Sequence, residues 1–240
     1  MSRRESPYPD FPTPQNASEA KHLQHDLARQ LRIEGTTENV ETLAALDASV
    51  KGDSDYVAVA VLWHVADERI LEVGVGRVPQ SEIFPYVPGL LSFREAPAYL
   101  AALRQLSVVP DLLLADGQGY AHPRRLGLAA HLGVHCDLPA IGVAKKRLVG
   151  TEDGDLGTEK GCTVPLYDDD EQIGWVYRSR TNVKPVYVSP GHRVGMDAAL
   201  AFVKSLPGQT KLPEPLRQAH HWAGRAREED LSGRITVSKD

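Results

Sequence analysis

Apolar positions along the chain change period twice. Leu23, Leu27 and Leu31 recur at i, i+4 and i+8 within a polar stretch, the spacing of one helix face. Asn16-Ala17-Ser18-Glu19 ahead of them has capping-box spacing, and Gly35 suits the helix end. Residues 1–15 are rich in Pro and Ser without periodicity and read as a disordered arm. Three shorter runs follow at 42–47, 56–63 and 69–77, valine-rich or alternating. Their connections, 51–55 and 66–68, are short enough for hairpins, so the three form an antiparallel meander. Past residue 90 the period alternates. A helix at 93–106 carries Leu100, Leu103 and Leu106 on one side, with Pro97 tolerable in its first turn. An apolar strand at 111–115, a helix at 125–132 and a strand at 140–144 come next. An acidic surface loop, strands at 172–178 and 184–189, and a last core helix at 196–206 complete the order.

A meander followed by right-handed β-α-β crossovers makes a mixed α/β sheet with helices on both faces. This is the ribonuclease H-like architecture, here one domain over residues 16–225 with 226–240 as a polar tail. In it the first strand lies beside the fourth and runs parallel to it. Asp47 and Asp116, each ending an apolar strand, then come side by side.

Paired carboxylates repel unless a cation lies between them. Mg²⁺ is the natural choice, since it favours oxygen ligands and takes one or two carboxylates plus substrate phosphate. Mn²⁺ is the alternative ion. Glu95 at the start of the following helix offers a third oxygen donor, and Asp197 at the start of the last helix a fourth. Either acid equally suits a helix N-terminus on dipole grounds alone. Four converging acids would serve phosphodiester hydrolysis by two metals about 3.5–4 Å apart. Lys145, at the end of the 140–144 strand, is placed to neutralise a scissile phosphate or orient water. His122, Arg124 and Arg125 after Asp116, and His192-Arg193, are further candidate phosphate contacts. Gly117 and Gly119 allow a ligand close to the backbone. A Walker loop and a G-x-S-x-G elbow are absent, and His220-His221 is not spaced as a metal pair.

Charge sharpens the partner. The net charge of −5 argues against nucleic acid until its distribution is read. Residues 122–150 carry five Lys or Arg against one acid, and 176–217 carry seven against two, whereas 151–175 hold eight acids and one Lys. A basic surface from the two flanking segments is therefore compatible with a phosphate-rich polymer. No run nears the roughly 20 apolar residues of a membrane helix. Two cysteines make neither a disulfide framework nor a zinc cluster, which fits a reducing cytoplasm and a chain without disulfide-linked partners. Nothing reads as a dimer interface, so a monomer is the default.

Six motifs occur in register between about residues 43 and 218. They are Pro85-Tyr86-Val87-Pro88-Gly89-Leu90-Leu91-Ser92-Phe93-Arg94-Glu95, Asp116-Gly117-Gln118-Gly119, His122-Pro123-Arg124-Arg125-Leu126-Gly127, Gly142-Val143-Ala144-Lys145-Lys146, Gly191-His192-Arg193 and Pro213-Glu214-Pro215. Together they resemble the endonuclease V family, deoxyinosine 3′-endonucleases of ribonuclease H-like fold. The resemblance implies Mg²⁺-dependent incision of inosine-containing DNA, and of RNA as an open alternative, one nucleotide beyond the lesion on its 3′ side. It makes Asp47, Glu95 and Asp116 the metal-binding acids, with Asp197 at a more variable fourth position. Lys145 becomes the catalytic lysine and His122 a supporting residue. Tyr86, stiffened by Pro85 and Pro88, becomes the wedge that fills the gap left by a flipped base. A hypoxanthine pocket would be lined by Leu91, Gly117, Gly127 and Leu148. The family's usual acid after Pro213-Glu214-Pro215 appears here as His220, which leaves the role of that position open. Two other readings stand beside this one: a nuclease for hybrid or branched nucleic acids, and a binding module without chemistry.

Overall fold

The computed structural model describes residues 7–50 and 55–237. Its elements in order are α1 (Ala17–Ala28), β1 (Thr42–Ser49), β2 (Tyr56–His64), β3 (Arg69–Val78), α2 (Leu91–Leu103), β4 (Leu112–Ala115), α3 (Leu128–Cys136) and β5 (Ala140–Ala144). The second half adds β6 (Thr151–Glu152), β7 (Thr163–Asp168), β8 (Glu171–Tyr177), β9 (Val186–His192), α4 (Met196–Ser205), α5 (Glu214–Glu228) and β10 (Gly233–Thr236).

Among the described residues the strands join one ten-stranded sheet in the order β10-β3-β2-β1-β4-β5-β9-β8-β7-β6. The meander forms as expected, and β1, β4 and β5 pair in parallel at the centre. This is the expected ribonuclease H-like mixed sheet. Its central strands are buried on both faces, which explains their nearly continuous apolar sequence. Leu43, Ala45, Val57, Val59, Leu112 and Leu114 turn towards α4 and α5. Ala44, Leu46, Ala58, Ala60, Leu113 and Ala115 turn towards α2 and α3, small residues that let α2 lie close. Pro97 lies in the middle of α2, the seventh of its 13 residues and not in the first turn as expected, because the helix begins already at Leu91. Among the described residues no helix is long and apolar enough to cross a membrane.

Four further expectations change. Residues 7–15 lack regular structure, yet Tyr8 is buried and Phe11 lies against His131 and Phe93 at ring distances of 4.8 and 6.1 Å. Aromatic burial, not periodicity, anchors that arm. The acidic segment is not a loop, because β6 and β7 extend the sheet edge through pairing with β8. The tail does not stay free either. α5 runs well past the last expected helix, and β10 pairs with β3 to cover the opposite edge. The first helix ends at Ala28, short of Leu31, although Asn16 caps it by accepting the Glu19 N–H at 3.0 Å. The expected hairpin connection at 51–55 falls largely outside the described residues.

Candidate active site

The parallel β1–β4 pair sets the site. Leu46 stands opposite Ala115, and the Asp116 N–H donates to the Leu46 carbonyl at 3.1 Å. Asp47 and Asp116, one residue on, therefore leave the sheet side by side. β5 continues the parallel run, so Lys145 emerges at the same edge, where its ammonium pairs with Asp116 Oδ2. Glu95 comes from the second turn of α2 and accepts a hydrogen bond from the Tyr56 hydroxyl. Asp47 Oδ1 accepts the Ala48 N–H at 2.8 Å, and its Oδ2 lies 2.7 Å from His220 Nδ1.

The electrostatics follow from crowding. Burial first, and then the charges of Asp47 and Asp116, push the Glu95 carboxyl up to about 7, despite the Tyr56 hydrogen bond that favours its ionised form. Asp116 is also raised, by burial and by Asp47, with Lys145 acting in the opposite direction. Three carboxylates on one buried wall thus hold more negative charge than their surroundings easily accept.

The acids open onto a cavity of about 590 Å³. Asp47, Glu95, Asp116 and Lys145 form one wall; Gly117, Gly127 and Leu128 line its depth; Tyr86, Pro88, Leu91 and Leu148 stand around it. Tyr86 is 70% exposed, and Leu91 and Leu148 also face solvent. A Cβ on Gly127 would lie 2.4 Å from the Gln118 carbonyl oxygen, so only glycine lets the two walls approach. The Gly127 N–H is committed to the Gly119 carbonyl at 2.9 Å, which makes this residue a shaper of the pocket and not a donor to a ligand.

The turn that presents Tyr86 is braced from behind. Gly89 takes a left-handed φ of 76°, and its carbonyl accepts from Arg124 Nη2 at 2.6 Å and from Gln24 Nε2 at 3.1 Å. Arg124 Nε donates in turn to Gln24 Oε1. His122 is buried beneath this turn, where burial and Arg124 push it down to about 4 and keep it neutral. Its Nδ1 accepts the Arg124 N–H at 3.2 Å.

The donor set fits a hard divalent cation. Asp47, Glu95 and Asp116 offer oxygen atoms, their negative charge is only partly offset by Lys145, and the cavity leaves room for water and phosphate. Among the described residues no three His, Cys, Asp or Glu side chains gather into a ready-made metal cage. Each of the three acids instead faces a partner of its own: His220, Tyr56 and Lys145. An ion that retains several waters does not require such a cage.

Several expected contacts lie elsewhere. β9 runs antiparallel to β5, pairing His192 with Ala140 and Tyr187 with Ala144. Its end is therefore at the opposite sheet edge from Lys145, and α4, which begins just beyond it, places Asp197 there too. Asp197 does not line the cavity. At that far edge His192 is buried, accepting the Arg32 N–H at 3.3 Å and facing Asp137 Oδ1 at 3.3 Å, while Arg193 donates to the Asp137 carbonyl at 2.7 Å. Both are structural ties, not phosphate contacts in this arrangement. Arg124 braces the Tyr86 turn, and Arg125 is held by Asp168 and Glu171 at 2.7 and 2.8 Å. Pro85 lies outside the cavity lining, and Gly119 packs against the Pro190 carbonyl instead of facing the cavity. Sequence reading missed Gln24, a polar residue hidden on an apolar helix face, and left His220 open. The register of α5, with Leu216, Ala219 and Ala223 inward, could have shown that His220 faces β1.

With this geometry in view, comparison with known proteins is decisive. The Endonuclease V family model matches residues 25–221. A Thermus thermophilus endonuclease V is 55% identical over 219 residues, covering 91% of this chain and 96% of the relative. The chain belongs to the endonuclease V family. It is thus a phosphodiester-hydrolysing nuclease of a family that depends on a divalent metal. The Streptomyces avermitilis endonuclease V structure superposes with a TM-score of 0.83 at 37% identity, covering 91% of this chain and 96% of that one. A variant of Ciona intestinalis endonuclease V superposes with a TM-score of 0.78 at 25% identity, covering 89% and 98%. That protein was solved with a 23mer DNA containing an inosine followed by a ribo-adenosine.

Proposed function

We propose that this endonuclease V recognises deoxyinosine in DNA and hydrolyses a phosphodiester bond on its 3′ side, one nucleotide beyond the lesion, with Mg²⁺ as its cation and Mn²⁺ as a substitute. One observation carries the reading. The wall of acids and Lys145 shares a cavity with an exposed aromatic, Tyr86, set on a braced turn. A nuclease that reads backbone shape alone has no use for such a wedge. The inosine-bearing DNA bound by the Ciona relative supports the same substrate.

In this mechanism Tyr86 enters the duplex and holds the gap while the hypoxanthine base occupies the cavity beside Gly117, Gly127, Leu91 and Leu148. Asp47, Glu95 and Asp116 hold the cation, which when bound neutralises phosphate charge and activates water. Lys145, whose ammonium pairs with Asp116 in this structure, is placed to turn to the scissile phosphate, which would leave Asp116 free as a ligand. His220 orients Asp47 through its Nδ1 contact. His122, neutral and buried, keeps the wedge turn and the 120–127 loop in register. The expected setting is the cytoplasm, with the chain acting as a monomer.

The ribo-adenosine beside the inosine in the Ciona complex favours a second reading, incision of inosine-containing RNA. Matched duplexes carrying deoxyinosine, deoxyadenosine or deoxyguanosine at one position, and an RNA strand carrying inosine, test both. Cleavage confined to the inosine strands supports the proposal. Equal cleavage of all the substrates contradicts it.

A further inference from the structure

Two successive carbonyls in the turn after β5 are held by side chains from other elements. Lys146 O accepts from Gln118 Nε2 at 2.8 Å, and Lys145 O accepts from Lys211 Nζ at 2.9 Å. Gln118 belongs to the loop that carries Asp116. Lys211 belongs to the connection between α4 and α5, which leads on to the helix bearing His220. The turn from which Lys145 projects is therefore pinned at two successive carbonyls, its own and that of Lys146. The pin at Lys211 is not an ordinary loop cap. Burial, Lys184 and Lys145 all disfavour its charge, whereas Asp116 favours it. The Lys211 ammonium gives the Lys145 carbonyl a charge-assisted hydrogen bond, about twice as strong as a neutral one.

We propose that Lys211 is a positioning residue for the reaction, fixing through the Lys145 carbonyl the turn from which the Lys145 ammonium reaches Asp116 and the scissile phosphate. This rests on the role given to Lys145 above. Displacing a reacting group by about 1 Å can cost up to about a hundredfold in rate.

The test uses the full chain with an end-labelled deoxyinosine duplex, saturating Mg²⁺ and single-turnover conditions across a salt series. Lys211→Met should slow cleavage about tenfold or more, while leaving the Kd for the duplex in chelator and the melting temperature unchanged. Lys211→Arg should restore most of the rate, because a guanidinium can also donate to a carbonyl. In a Lys145→Met background, Lys211→Met should cause no further loss. The positioning role is overturned by a full rate in Lys211→Met, by an additive loss in the double variant, or by failure of Lys211→Arg to rescue. A loss confined to affinity, with a shallower salt dependence, would make Lys211 a plain phosphate contact and overturn it equally. Wild-type chain that leaves the duplex intact would instead overturn the functional reading.

Discussion

Replacing Glu95 by Gln should make the metal-free protein more stable while removing its chemistry. The carboxyl ordinarily titrates near 4.5 and is pushed up to about 7 in the fold, mainly by burial and then by Asp47 and Asp116. A raised acid favours the folded state below its unfolded value, and the advantage is lost as pH rises through the folded value. The difference of about 2.5 pH units corresponds to about 3 kcal/mol of stability withheld at pH 8, and to less than about 1 kcal/mol at pH 5. Glutamine retains an oxygen that can accept from Tyr56 and carries no charge to desolvate. Thermal unfolding in chelator at the two pH values is the assay. Glu95→Gln should raise the melting temperature by several degrees at pH 8 and by little at pH 5. Excess Mg²⁺ should also raise the wild-type melting temperature at pH 8, the stabilisation being about 2.7 kcal/mol at a hundredfold excess over its Kd, and have much less effect on the variant. Lower stability of the variant at pH 8, or the same gain at both pH values, would refute the reasoning.

Other outcomes follow from placement. Tyr86→Ala removes an exposed side chain, so unfolding should change by less than about 0.5 kcal/mol, while duplex titrations show lesion affinity falling more than the saturated rate. Arg124→Met removes one of the two donors to the Gly89 carbonyl and leaves Gln24 Oε1 without its donor, and should cost about 1–3 kcal/mol in denaturant unfolding together with a loss of lesion affinity. Asp197→Asn, at the far sheet edge, should leave metal titration and cleavage rate at wild-type levels.

What was legible in the chain followed from period and parallel order. The meander needed only short apolar runs and short connections, and the adjacency of Asp47 and Asp116 needed only that the first and fourth strands pair. Asp197 and His192-Arg193 were misplaced for one reason. Nothing local in 184–192 says that β9 enters antiparallel, and that reversal carries both groups to the opposite edge. The acidic segment hid β6 and β7 because β6 is only two residues long and β7, interrupted by Pro165, runs straight into the acidic turn 168–171. In α5 the inward stripe of Leu216, Ala219, Ala223 and Ala226 is helical in spacing, but alanines give it a faint apolar signal. Bracing by Gln24 and Arg124 was beyond reach, since it joins residues 100 positions apart through polar side chains.

The central claim is that Asp47, Glu95 and Asp116 make a metal-dependent centre cutting beside inosine. Its most direct test is the mapped cleavage of an end-labelled duplex with one deoxyinosine, using wild type and Asp116→Ala, with and without Mg²⁺. A single nick one nucleotide beyond the lesion on its 3′ side is expected only with wild type and only with metal, while Asp116→Ala still binds the duplex. A nick that persists in Asp116→Ala or in chelator, or an abasic product in place of a nick, would contradict it.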